Sequence, residues 1–189
     1  MHSDDKPLQK YDFLIKYGTL ADKFTNEQNS LINELISKLK DMLITVATLV
    51  NDNSLSDLNI RVNSFSYYFY SNIIYLYSQL KEMKNDISIF VNNFNEQILT
   101  EKSKEMIYQR FLRNVNTIKE SINMFIMIIT KYNNNIYDGY LKDNKLTKEV
   151  KESIENKLKQ SDEYLKNIKK ESENKSEELI TQIKKILNQ

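Results

Sequence analysis

Between Gly18 and Gly139 apolar side chains recur every third or fourth residue, and neither glycine nor proline interrupts the 120 residues between them. That spacing is the signature of one apolar helical face, and the two strongest breakers of local structure are missing from it. The pattern predicts a short first helix over Leu8 to Tyr17, with Pro7 at its first turn and Gly18 beyond its end. A second opens at Thr25, where Gln28 three residues later completes a capping box, and turns Leu31, Leu35, Leu39, Met42, Val46 and Leu49 inward. Asn51-Asp52-Asn53-Ser54 reads as a polar turn. The third segment steps by threes and fours from Leu58 to Ile98, which as one helix would be about 60 Å long, with Lys84-Asn85-Asp86 as its expected break.

A fourth helix is expected from Glu101 to Tyr132, with Met106, Phe111, Val115, Ile118, Ile122, Phe125 and Ile129 inward, stopped by Tyr132-Asn133-Asn134-Asn135. A loop through Ile136, Tyr137, Asp138, Gly139 and Tyr140 leads to a last helix from Thr147 to Leu187. No stretch alternates with the period of a strand. The expected fold is all-α: an elongated bundle of about five helices, with two long central helices and a long C-terminal one. Residues 1–7 read as a disordered tail and 8–189 as a single helical-bundle domain.

Charge sharpens this picture. Residues 142–185 hold 12 lysines and 10 acids, whereas 54–99 hold three basic and four acidic side chains. The core is therefore expected on the third and fourth helices, with the final helix largely solvated. The net charge of +1 and the rarity of arginine (Arg61, Arg110 and Arg113 alone) give no basic face for nucleic acid. With no cysteine there is no disulfide, thiol nucleophile or cysteine-ligated metal. No stretch approaches the roughly 20 apolar residues needed to span a bilayer, and Met1 to Lys6 lacks the apolar core of a signal peptide.

Nothing in the chain assembles a catalytic group, a cofactor site or a metal site. His2 is the only histidine and is terminal. Glu101 and Glu105 share a helix face with Lys102 and Lys104 and read as a solvated surface. Asp138-Gly139 and Asp143-Asn144 lack the ligand order of a calcium loop. The sequon Asn174-Lys175-Ser176 carries no weight by itself. Two apolar blocks bear on binding. Phe65, Phe69, Ile73 and Leu76 form one face, and Tyr67, Tyr70, Ile74 and Tyr77 a second at the same spacing; core packing in a helix central to a bundle is the expectation, with an exposed binding patch as the alternative because tyrosine suits interfaces. Ile122 to Ile129 is apolar all round, which suits enclosure in the core. In the expected loop, Ile136, Tyr137 and Tyr140 either lid the end of the bundle or contact a partner, and they are the candidate partner-binding residues.

Lys10-Tyr11-Asp12-Phe13-Leu14 resembles the Lys-aromatic-Asp-Phe-Leu run that begins the folded region of all-helical Borrelia surface lipoproteins of the complement-regulator-acquiring group. The order of helices over residues 10–140 is similar, as are the Asn/Ile/Lys/Tyr bias and the lack of internal cysteines. The resemblance implies a bundle held at the outer membrane by a lipid on a cysteine that this chain does not contain. It also implies binding of a host protein such as a complement regulator or plasminogen. In some relatives the terminal helix packs on a second subunit, and the long helix from Thr147 to Leu187 would suit such a homodimer. The resulting expectation is a non-enzymatic, surface-exposed helical lipoprotein engaged in host interaction or immune evasion. A helical pore-forming toxin component and an intracellular coiled-coil scaffold are the alternatives, with secretion or a cytoplasmic location accordingly.

Overall fold

In a computed structural model, residues 6–142 and 145–188 are described, without the side chain of Leu141. The described residues form four long helices and not five: α1 (Lys10–Asp52), α2 (Ser56–Asn92), α3 (Glu101–Leu141) and α4 (Lys148–Leu187). They are 43, 37, 41 and 40 residues long and make an all-α four-helix bundle. The N-terminal tail expected over residues 1–7, with His2, falls largely outside the described residues, as do Asp143 and Asn144.

Each discrepancy with the expected boundaries has a packing cause. Gly18 does not end a helix, because Phe13, Tyr17, Ala21 and Phe24 around it are all buried. Their burial outweighs a glycine cost of about 1 kcal/mol within a helix. Thr25 and Gln28 make no capping box either: Gln28 is fully buried inside α1 and is used by α4. Lys84-Asn85-Asp86 does not break α2; Lys84 pairs with Asp22 at 2.6 Å and Asp86 with Arg110 at 2.8 Å, so these polar residues lie on the flanks of an unbroken helix. The helix stops at Asn92, leaving Ile98 exposed in the connector that follows. The asparagine run does not stop α3, since Asn133 turns inward and donates to Ser161 Oγ at 3.0 Å. Met106 is exposed, and Ile107 holds the core position beside it.

The turn expected around Asn53 is present and has a definite form. Leu55 N–H donates to Val50 C=O and Ser54 N–H to Asn51 C=O, the paired bonds of a Schellman motif. Ser54 takes the left-handed conformation (φ 57°) that glycine usually fills there, and Val50 and Leu55 are both buried beneath it. Thr100 caps α3 by accepting from Ser103 N–H at 3.1 Å, and Thr147 caps α4 by accepting from Val150 N–H at 3.2 Å.

Two compact units share the helices. The first contains the chain up to Asn29, Leu76–Ser121 and the chain from Ser172; the second contains Ser30–Tyr75 and Ile122–Glu171. In the first, Tyr17 is fully buried, stacks on Phe13 and meets Phe111 edge-on, and its hydroxyl donates to Met83 C=O at 3.3 Å. Burial holds its phenol well above its ordinary pKa. Leu8 and Leu99 bring the N-terminal segment against the α2–α3 connector, with Lys10 N–H on Gln97 C=O and Leu99 N–H on Leu8 C=O, each 2.8 Å. In the second unit Phe65, Phe69 and Phe125 form an aromatic centre between α2 and α3. The final helix is not confined to the solvated periphery: Ile154, Leu158, Leu165 and Ile168 close this core, and Leu179, Ile183 and Ile186 close that of the first unit.

Candidate functional site

The most unusual surface lies on the outer face of α2 in the second unit. Leu58, Val62, Phe65, Phe69 and Ile73 turn to the core. A helix advances 100° per residue, so Ile60, Tyr67 and Ile74, at intervals of seven, fall on the opposite side. They are 63%, 72% and 70% exposed, and Tyr70 and Tyr75 beside them are 43% and 56% exposed. The second apolar face of this segment is thus open to solvent and not packed in the core as its spacing suggests. A four-helix bundle encloses one side of each helix, so a helix with two apolar faces leaves one uncovered.

The surface is also uncharged. No Asp, Glu, Lys or Arg occurs from Val62 to Leu80, in a chain of which 28% is charged. Arg61 borders it, and its guanidinium turns away to donate to Asn135 C=O at 2.9 Å. The small polar side chains between the rings are satisfied within the helix: Ser71 Oγ donates to Tyr67 C=O and Asn72 Nδ2 to Tyr68 C=O. Covering Ser71 therefore strands no donor. Tyr68 rests on Tyr132 of α3, with ring centroids 5.6 Å apart, and Tyr132 in turn meets Phe65. The outer rings are thus fixed to the core by an aromatic chain, and little side-chain freedom remains for Tyr68 to lose on binding.

The candidate residues from the sequence are placed differently. Ile136, Tyr137 and Tyr140 lie in the last turns of α3 and not in a loop. Ile136 and Tyr140 are buried in the second unit, while Tyr137 is half-buried against Tyr140, with ring centroids 4.9 Å apart. Burial, with Glu155 and Tyr137 nearby, holds the Tyr140 phenol well above its ordinary pKa. The run Ile122 to Ile129 is only partly enclosed: Ile122, Phe125, Ile126 and Ile129 face the core, and Met124 and Met127 face solvent. Among the described residues no helix is long and apolar enough to cross a membrane, and no group of His, Cys, Asp or Glu is disposed to hold a metal.

Comparison of the chain with protein-family models, with curated proteins and with solved structures finds no match. The surfaces themselves must therefore carry the functional argument. Two grooves accompany the α2 face. One of about 700 Å³ lies between α1 and α4 in the first unit, and its charges are spent internally, Lys175 bridging Glu27 and Glu178. Another of about 620 Å³ in the second unit has Ile126, Met127 and Leu165 along it and Lys131, Lys166 and Lys169 at its edge. The α2 face differs in kind: it is rich in tyrosine and empty of charge, the composition found at the buried centre of protein interfaces. Exposed apolar patches of this sort mark interaction sites. Its sequence signal was the charge-free run, which spacing alone does not weigh.

Proposed function

We propose that the chain is a non-enzymatic binding protein whose working surface is the outer face of α2, displayed at the cell surface to a host macromolecule. The observation that carries the reading is the exposure of Ile60, Tyr67 and Ile74 on a helix face without a formal charge. Tyrosine gives large contact area at small entropic cost, and a neutral face selects partners by shape and desolvation and not by long-range steering. The surface location and the host partner rest on the resemblance of Lys10 to Leu14 to the Borrelia lipoproteins. A lipid anchor outside this chain would supply the attachment to the membrane.

The test is a biosensor measurement on immobilised wild type and on the Tyr67→Ser/Ile74→Ser double variant, with a purified complement regulator and purified plasminogen as analytes. Both side chains are largely exposed, so the variant is expected to keep its thermal midpoint. Binding of one analyte, weakened at least about tenfold in the variant, is the expected result, since interface aromatics commonly contribute more than 1 kcal/mol each. Binding of neither analyte, or equal binding by both forms, would refute the reading.

A further inference from the structure

We infer that the outer face of α2 pairs with the same face of a second copy of this chain, antiparallel, about a two-fold axis at the level of Phe69. The inference rests on the reading of this face as a protein interface and names its first occupant. Three observations carry it. Ile60, Tyr67 and Ile74 recur every seven residues on the exposed side, with Ser71 exposed and Ser64 half-buried beside them at the same interval. A seven-residue repeat on an α-helix drifts by about 20° per repeat, the geometry of two helices crossing at a small angle.

The register follows from those positions. With the axis at Phe69, Tyr67 stands at the level of Ser71 of the copy and Ile74 at the level of its Ser64. The two-fold generates the same two matches in reverse. Tyr67 and Ile74 then each stand level with a serine, while Tyr70 stands level with Tyr68 of the copy as an aromatic pair, and the helix axes lie about 8–10 Å apart. Slipping the pair by one turn sets large against large. Such a self-matching arrangement is what an isologous contact requires, and a helix face selected for an unrelated partner has no need of it.

Charge and area agree. The absence of charged side chains from Val62 to Leu80 means that two copies oppose no like charge across the contact. The exposed parts of Ile60, Tyr67, Tyr70, Ile74 and Tyr75 together offer roughly 600 Å², counting about 200 Å² for a fully exposed side chain of this size. A standard interface takes about 800 Å² from each partner. The face therefore supports a dimer at the low end of the specific range, in exchange with monomer. A host partner using the same residues competes with the second copy, and the pairing masks the face until that partner arrives.

The chain has no cysteine, which makes cross-linking clean. Sedimentation of the full chain from about 10 μM to 1 mM, a range suited to a transient contact, is expected to show a concentration-dependent dimer. Tyr67→Lys should lower association at least tenfold with an unchanged circular dichroism spectrum. A mixture of Tyr67→Cys and Ser71→Cys proteins should form a disulfide-linked dimer under mild oxidation, whereas Lys40→Cys, on exposed α1, should not. A monomer at every concentration overturns the inference, as does a dimer indifferent to Tyr67→Lys or one that cross-links equally through residue 40. The biosensor variant separates the two claims. A monomer that still binds a host analyte through Tyr67 sinks the pairing alone, and a monomer with no Tyr67-dependent binding sinks both.

Discussion

The docking of α4 on α1 in the first unit depends on a buried polar layer, and its contribution can be worked out by exchange. Gln28 is fully buried; its Oε1 accepts from Ser172 Oγ at 3.1 Å, and its Nε2 donates to Ser172 C=O over a long 3.4 Å. Ser176, also buried, donates back to Ser172 C=O at 2.8 Å. Ser172→Ala leaves the Gln28 carbonyl oxygen without a donor in a site closed to water, an expected loss of about 1–3 kcal/mol. Gln28→Leu is milder, about 1 kcal/mol or less, because the Ser172 hydroxyl can turn to a carbonyl one turn back, as that of Ser176 already does. Carrying both substitutions removes the donor and the acceptor together and sets leucine against alanine. The double variant is then expected to match or exceed wild type, with a coupling at least as large as the two single losses together, about 1–4 kcal/mol. Urea unfolding followed by far-ultraviolet circular dichroism reads all four corners of the cycle, and each kcal/mol corresponds to about 2–4 °C in thermal midpoint for a chain of this length. Additive losses, with the double variant least stable of all, would refute the claim that the layer is held by its mutual pairing.

Four further outcomes follow from single positions. Asp86 accepts from Arg110 Nε and Nη2 at 2.9 and 2.8 Å and from Asn114 at 2.8 Å. Its pKa is held below the ordinary value, chiefly by the Arg110 hydrogen bonds against the opposing effect of burial. A depressed folded-state pKa gives stability that is complete above the unfolded value of about 3.9 and is lost as pH falls through the folded one. Asp86→Asn should therefore be less stable than wild type at pH 7, and the difference should shrink in an acid unfolding series as pH falls below the unfolded value of about 3.9; a pH-independent gap would count against the pairing. Gly18→Ala meets no atom within 4 Å and should raise stability by about 0.5–1 kcal/mol. The same change at Gly139 brings a Cβ to 2.7 Å from Arg61 Nη1 and 3.0 Å from Leu58 Cδ1, so its gain should be smaller or reversed in matched thermal melts. Ser54→Gly should add about 1 kcal/mol by relieving the left-handed conformation, and a loss in the same melts would show that Ser54 is not strained.

The helices were legible because a period of three and four survives any local interruption, but their number was not. Gly18, Thr25, Lys84 to Asp86 and Tyr132 to Asn135 each look like a boundary when weighed by propensity, and each such preference is about 1 kcal/mol or less. What overrides them is tertiary. Tyr17 and Phe24 bury the turns around Gly18, Gln28 finds Ser172 across 144 residues of sequence, and Asn133 finds Ser161. Those partners are distant in the chain, so no local window contains them. By contrast, the starts expected at Glu101 and Thr147 agree with α3 and α4 to within a residue, because the caps from Thr100 and Thr147 are made within three residues.

The same limit explains the misplaced sites. Ile136 and Tyr140 were assigned to a loop only because a stop was read at the asparagines; once α3 continues to Leu141, their four-residue interval puts both on the buried side. For α2 the spacing supplied two apolar faces and no means of choosing between them, since the choice depends on how many neighbours a helix has. Four helices give each one covered side, so the face bearing Phe65 and Phe69 is enclosed and the face bearing Tyr67 and Ile74 is left over. A helix exposed by that arithmetic would ordinarily carry lysine and glutamate there, as α4 does. Tyrosine, isoleucine and serine without a charge take those places on the outside of α2, and that departure is the ground on which the proposed interface rests.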